Sequence, residues 1–349
     1  MVFTVSNVKL KGLAVCVPKQ TEDNLQFTLL SEAERATFVN TVGIRYRKVV
    51  PSGITASDLC LAAAEKLLKD TNWNREEISV LIFVTQTPDY IIPNTSSILQ
   101  HKLNLPKSCI AFDVNLGCSG YVYGLSIISG LLQNIPNSKG LLLVGDASTQ
   151  TISMRDKSTA PLFSDAGTAT ALEFVKGEEI HFNLQTDGSE YDDIIVSDGG
   201  FRNKVTEKSF EENEYSKGVF RNNLQMKLDG VKIFNFALRE IAPSIHALLE
   251  KVKIEITAID YFLFHQANLL MLESVRKKLK AERGKVPYSL YDFGNTSSAS
   301  IPITMITQLR SKLISEKLKL VLSGFGVGLS WGTAYLETEK IICSELVEI

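Results

Sequence analysis

The same order of segments passes twice along this chain, and that repetition narrows the possible folds more than any other feature. In the first pass a capped helix from Leu59 to Lys69 leads to the apolar strand Val80 to Thr85 and a helix from Asn94 to Leu103. An apolar run from Ile110 then reads as a buried strand, Gly117-Cys118-Ser119-Gly120 as a tight turn, and Tyr121 to Leu132 as a buried helix. Strands at Gly140 to Gly145 and Thr168 to Phe174 close the pass. The second pass runs through a helix from Val231 to Leu249, a strand from Ile259 to Phe264 and a helix from Asn268 to Leu279. It continues through a strand from Tyr288 to Phe293, a turn at Gly294-Asn295-Thr296-Ser297, a helix from Ile301 to Leu309, and strands at Leu318 to Leu322 and Trp331 to Leu336. Short, fully apolar strands alternating with helices belong between helix layers. The chain is therefore read as α/β and duplicated, with halves at residues 1–175 and 230–349 packed as one body because no loose linker parts them.

Residues 176–229 break the pattern. Asp187-Gly188, Asp198-Gly199-Gly200 and the charged run Lys204 to Lys217 have weak periodicity, which suits a connection whose excursion covers a site or simply a surface loop. The first strand is placed at Val8 to Val17 and a short helix near Ser31 to Asn40; the cation-rich Gly43-Ile44-Arg45-Tyr46-Arg47 reads as a loop.

An apolar share of 44% with 22% charged residues over 349 positions supports a large core. A net charge of −2 with dispersed Lys and Arg provides no field for nucleic acid. The five cysteines are odd in number and lack CxxC spacing, and the four histidines are scattered, which argues for reduced thiols, a cytoplasmic setting and no zinc site. No stretch reaches the length of a membrane span, and the N-terminus lacks a signal-peptide pattern, so the chain is read as soluble and not exported.

Within this frame Cys118 stands at a helix N-terminus, where unsatisfied N–H groups and the helix dipole favour the thiolate. A small apolar cysteine packed in a core fits the same position. His265 follows an apolar strand and precedes a helix, and Asn295 holds the turn matching that of Cys118. Strand C-terminal ends are where open α/β sheets present ligands, so the three residues together point to a reactive site.

The motifs GIRYR at Gly43, FDVNLGCSGYVYGL around Cys118, FSDAGTA around Asp165, FHQAN around His265, GNTSSASIP around Asn295 and GFGVGLSWG around Gly326 run in one order over nearly the whole chain. In them the sequence resembles the thiolase superfamily, and within it β-ketoacyl-(acyl carrier protein) synthase III. The resemblance implies layered α-β-α-β-α architecture with mixed five-stranded sheets. It also implies decarboxylative Claisen condensation of an acyl thioester with a malonyl thioester, giving a β-ketoacyl thioester and carbon dioxide.

By the same resemblance Cys118 carries the acyl group, and the N–H groups of Cys118 and Val327 form the oxyanion hole. His265 Nε2 and the Asn295 amide donate to the malonyl thioester carbonyl, and Phe163 and Phe325 keep the site apolar. No metal or redox cofactor is called for. Ile92 matches a position that reaches the acyl pocket across a homodimer, and Arg276, Lys277 and Lys278 lie on a helix near which acyl carrier protein docks. Leu270 stands where an arginine often does. The positions of an aromatic and two arginines that clamp the adenine of acyl-coenzyme A are Thr37, Thr41 and Lys157 here, which favours a carrier-bound donor and a specialised acyl product. Transfer of the acyl group to an alcohol or amine, a papain-like protease using Cys, His and Asn, and a silent scaffold are the alternatives. The intact triad favours condensation.

Overall fold

The computed structural model describes residues 1–349, and its two main sheets are held together by one pair of long strands. In chain order the principal elements are β1 (Val2–Val17), α1 (Glu32–Val42), α2 (Ala56–Thr71), β2 (Ile78–Val84), α3 (Thr95–Lys102), β3 (Ile110–Val114), α4 (Gly120–Leu132) and β4 (Lys139–Asp146). They continue as β5 (Ala166–Thr186), α5 (Gly230–Val252), β6 (Tyr261–Phe264), α6 (Leu269–Leu279), α7 (Leu290–Phe293), α8 (Ser300–Ser315), β7 (Lys317–Gly326) and β8 (Ser330–Glu339).

β1 and β5 are antiparallel along their length, but the register slips between Ser6 and Val8. There Asn7 and Gly177 both take positive φ, 64° and 88°, and the Gly177 N–H donates to Asn7 Oδ1 at 3.0 Å. The kink divides the ladder. On one side the order is β3, β2, β4, the first part of β5 and the second part of β1; on the other it is β6, β7, β8, the second part of β5 and the first part of β1. Each side has parallel and antiparallel pairs, so the expected mixed five-stranded sheets are both present, the first extended beyond β1 by the short parallel strands Ile342–Cys343 and Val347–Glu348.

Strand alternation distributes the side chains among three helix layers. Val80, Ile82 and Val84 face a central core with α4 and α8, which receives Leu320, Leu322, Ala334 and Leu336 from the other sheet. Leu81 and Phe83 point outward to α2 and α3. Phe262, Phe264, Val321 and Trp331 point outward to α5 and α6. The result is the five-layer α-β-α-β-α arrangement, with α4 and the first two turns of α8 buried between the sheets; the later part of α8 keeps only Leu309 and Leu313 buried.

Three local expectations are corrected. β1 begins at Val2, because its first residues pair with the far end of β5. β3 is an edge strand paired only with β2, so Ile110 is exposed. Tyr288 to Phe293 is not a strand: its apolar Leu290 and Phe293 are one helical turn apart in α7, and the Ser289 N–H donates to Gln266 Oε1 at 3.0 Å. The second sheet thus lacks a counterpart of β3.

β5 runs through Lys176 to Thr186 before the irregular stretch begins. That stretch forms two small ladders, Ile194–Ile195 with Lys227–Leu228 and Asn213–Ser216 with Val219–Arg221. It is tied to the loop after β4 by Arg221 to Asp156 at 3.3 Å and by the Met226 N–H to the Thr151 carbonyl at 2.7 Å. The Tyr46–Lys48 part of GIRYR pairs with Thr21–Asp23 as a short strand, and Arg47 is buried beneath the Phe163 carbonyl.

Candidate active site

One large cavity of about 920 Å³ opens at the strand ends and brings Cys118, His265 and Asn295 to a common wall, with Phe163, Phe325 and Val327 beside them. Cys118 lies in the turn between β3 and α4, two residues before the first helical one. Gly326 of β7 packs directly on it: a Cβ there would stand 2.7 Å from Cys118 Cβ and 2.8 Å from Sγ. The thiol is reached from the cavity, yet it is densely surrounded by protein. Loss of water pushes it up to about 11, against the pull of the Val327 and Cys118 N–H groups and the Ser297 hydroxyl. The expected thiolate is thus overridden by burial, and the nearby Asp146 carboxylate adds to the effect. The resting nucleophile is a thiol at neutral pH.

His265 is buried where the chain leaves β6, and its N–H donates to the Ser323 carbonyl at 2.8 Å. Its Nδ1 is 3.1 Å from the Ser297 carbonyl and 2.9 Å from Ser300 Oγ. Burial pushes the imidazole down to about 4, so it is neutral. The Phe325 ring stands edge-on to it, 5.7 Å between centroids.

Asn295 is fixed by Phe163 and its neighbours. Its N–H donates to the Leu162 carbonyl at 3.0 Å, and its carbonyl accepts from the Ser164 N–H at 2.9 Å. The Ser297 N–H donates to the side-chain oxygen at 3.0 Å, which leaves the amide Nδ2 as an unused donor in a side chain lining the cavity.

The sequence reading missed Asp146. This buried carboxylate at the end of β4 lines the cavity and accepts from the Gln86 N–H at 2.7 Å, the Thr85 hydroxyl at 3.2 Å and the Ser298 hydroxyl at 2.7 Å. Burial pushes it upward, opposed by those donors. It joins the Asn295 loop to the end of β2. An acid closing an apolar strand was the available signal.

The remaining expected residues are more dispersed. Thr37 and Thr41 are exposed on α1, and their hydroxyls donate back to the Ala33 and Thr37 carbonyls at 2.9 and 2.7 Å; Phe38 and Val42 are the α1 residues that line the cavity. Lys157 lines it too. From the irregular stretch Ile194, Val196, Met226 and Leu228 form an apolar wall. Ile92 is 82% exposed beside exposed Tyr90 and Ile91, and it is not on the cavity wall of the single chain. On α6, Arg276 is engaged with Glu273 at 2.8 Å, and Lys278 donates to the Leu238 carbonyl at 2.6 Å, while Leu270 is exposed. No group of three or more His, Cys, Asp or Glu is placed to hold a metal, and no helix is long and apolar enough to cross a membrane.

Family models match at the two places that carry this geometry: 3-oxoacyl-[acyl-carrier-protein (ACP)] synthase III over residues 112–188, and its C-terminal part over residues 249–338. A β-ketoacyl-[acyl-carrier-protein] synthase III of Streptococcus mutans serotype c is 32% identical over 93% of this chain and 97% of that protein. The chain belongs to the β-ketoacyl-(acyl carrier protein) synthase III family. A Campylobacter jejuni putative 3-oxoacyl-[acyl-carrier-protein] synthase 3 is 31% identical over 97% of this chain and 96% of its own. The crystal structure of a 3-oxoacyl-(acyl-carrier protein) synthase from Burkholderia xenovorans LB400 superposes with a TM-score of 0.94 at 36% identity, covering 100% of this chain and 99% of that one. The chain is thus an acyltransferase with a thiolase fold and β-ketoacyl synthase III function.

Proposed function

We propose that Cys118 is acylated by a carrier-bound or coenzyme A thioester and that the acyl group then condenses with a malonyl thioester, with acyl carrier protein as the partner. The observation that carries this reading is the convergence of Cys118, neutral His265 and the free Asn295 amide on one cavity, with the Val327 and Cys118 N–H groups near enough to the sulfur to favour its charged form. The Cys118 sulfur attacks the acyl carbonyl, whose developing oxyanion meets the Cys118 and Val327 N–H groups. The first thiol leaves with the cysteine's proton. His265 and Asn295 then donate to the malonyl thioester carbonyl while the carboxylate departs as carbon dioxide. The enolate carbon attacks the acyl carbonyl, expelling the Cys118 sulfur as a thiolate, which takes one proton from solvent. Phe163 and Phe325 exclude water from the departing carboxylate.

The exposed Thr37 and Thr41, with hydroxyls tied to their own helix, support a carrier-bound donor and a specialised acyl product. The free edge of β3 and the apolar Tyr90 to Ile92 projection support a homodimer in which Ile92 reaches its partner's acyl pocket. Residues 1–175 supply the nucleophile, residues 230–349 the donors, and the segment between roofs the cavity. Five free cysteines suit a cytoplasmic enzyme. Lys277, with Arg276 and Lys278 tied back to the protein, is the cation left for the carrier on α6.

Intact-protein mass spectrometry with a panel of acyl-coenzyme A and acyl-carrier donors tests the reading. An adduct that requires Cys118 and is discharged by malonyl carrier protein as a β-ketoacyl product is expected. An adduct that malonyl leaves untouched points to transfer onto an alcohol or amine, and no adduct in any arm overturns the reading.

A further inference from the structure

Ser300 opens α8, is fully buried, and has a single hydroxyl proton that two neighbours can take. The Ser297 carbonyl and His265 Nδ1 are each 2.9 Å from its oxygen, and the Gln266 N–H donates to that oxygen at 3.2 Å. The Ser297 carbonyl also lies 3.1 Å from Nδ1. If Ser300 donates to the carbonyl, Nδ1 must carry the proton of the neutral ring to satisfy its two oxygen neighbours, and Nε2 is left bare. If Ser300 donates to Nδ1, the ring proton resides on Nε2; the Ser297 carbonyl then gives up the Ser300 proton and faces the Nδ1 lone pair at 3.1 Å, a local cost set against the donor gained at Nε2. Nε2 has no partner within the protein, and the ring lines the cavity beside the unused Asn295 amide. A bare Nε2 would repel the carbonyl oxygen that Asn295 is free to bind, whereas Nε2–H forms a second donor to the same atom. The hydroxyl is also the closer of the two groups at Nδ1.

We propose that Ser300 is a positioning residue whose hydroxyl donates to His265 Nδ1 and thereby holds the proton of the neutral imidazole on Nε2, facing the malonyl thioester. The inference rests on the reading of His265 as a donor to that carbonyl. Ser300 touches no substrate atom and acts through the ring. No proton leaves the ring during the step: the substrate carbonyl accepts the Nε2–H bond while carbon dioxide departs.

The tautomer is read directly by ¹H–¹⁵N long-range correlation on the full chain labelled at histidine, near pH 7, with His265→Gln identifying its signals among those of the four histidines. The expected wild-type form is Nε2–H, and Ser300→Ala moves it to Nδ1–H. Malonyl decarboxylation in Ser300→Ala then falls by about 10²-fold, the order of a lost oxyanion donor. Acyl-Cys118 formation falls by no more than about threefold, since it uses the backbone hole. Ser300→Thr, which keeps a hydroxyl, retains Nε2–H. An Nδ1–H wild type, an unchanged tautomer in Ser300→Ala, or equal losses in both half-reactions overturns the proposal. The wild-type spectrum decides even if the alanine variant does not fold. A wild type with the expected tautomer but no malonyl decarboxylation counts instead against the condensing reading.

Discussion

Gly326→Ala should cripple the nucleophile while leaving the fold intact. The added Cβ would sit 2.7 Å from Cys118 Cβ and 2.8 Å from Sγ, at a backbone φ of 155° that L side chains rarely adopt. Carbon atoms in ordinary contact are about 3.5 Å apart, so the pair must separate by roughly 0.7–0.8 Å. Neither side moves freely. Cys118 is followed by Ser119, whose hydroxyl is 2.7 Å from that of Ser330, and Gly324 in the same strand already approaches the Cys118 carbonyl so closely that a Cβ would lie 2.9 Å from it. The strain of such overpacking is about 1–3 kcal/mol, which a large core tolerates. A displacement approaching 1 Å at a reacting atom costs about 10²-fold in rate. The next residue, Val327, whose N–H is the proposed second oxyanion donor, moves with the turn. We therefore expect acyl-Cys118 formation, followed by rapid-quench mass spectrometry, to slow by about 10²-fold, with near-ultraviolet circular dichroism unchanged. Gly188→Ala, where a Cβ meets nothing within 4 Å, is the control and should acylate as wild type. A folded Gly326→Ala enzyme that acylates at the wild-type rate would refute the reasoning.

Three further outcomes follow from individual groups. Asp146→Asn turns an amide N–H₂ towards donors that now meet a carboxylate, which should cost about 1–3 kcal/mol in urea unfolding. It also removes a negative charge that adds to the effect of burial in holding the Cys118 thiol up, so iodoacetamide should label Cys118 faster at pH 8; slower or equal labelling contradicts this. His265, moved by burial from 6.5 to about 4, binds a proton in the unfolded chain but not in the folded one between those values. Its contribution to stability therefore falls as pH drops through that window, by about 2 kcal/mol between pH 7 and 5. Asp165, pushed up to about 6 by burial, has the opposite slope, so the measurement is the difference in urea midpoints between wild type and His265→Gln; equal acid sensitivity refutes it. Ile92→Asp should halve the particle mass in light scattering, and a monomeric wild type or an unaffected dimer argues against the interface.

The layers, and the meeting of Cys118, His265 and Asn295 at one cavity, were legible because they depend on local pattern. Val80 to Val84 is apolar at every position, which announces a strand covered on both faces, and the structure places α2 and α3 on one face and α4 and α8 on the other. Tyr288 to Phe293 misled because its apolar spacing suits a strand or a single helical turn. The choice was made by Gln266, 23 positions from Ser289, whose side chain accepts the Ser289 N–H. The edge position of β3 was hidden for a related reason: no residue between Ile110 and Val114 encodes that the strand has one neighbour rather than two.

The state of the nucleophile was illegible for a deeper reason. The helix end beside Cys118 is visible in the sequence and favours a thiolate, but the opposing influences come from elsewhere: Asp146 ends β4, and Gly326 and Val327 come from a turn more than two hundred positions away. A thiol kept up near 11 by burial and a neighbouring carboxylate is unreactive towards adventitious electrophiles in the open cavity. On the proposed reading, the Cys118 and Val327 N–H groups beside the sulfur serve an oxyanion once the thioester carbonyl arrives. Reactivity then depends on substrate occupying the hole, which requires both halves of the chain to be in register. One link between the halves at the site is the Ser298 to Asp146 hydrogen bond, which joins the loop carrying Asn295 to the strand end beside Cys118. Weakening this link should disturb the timing of the chemistry more than the binding of either substrate.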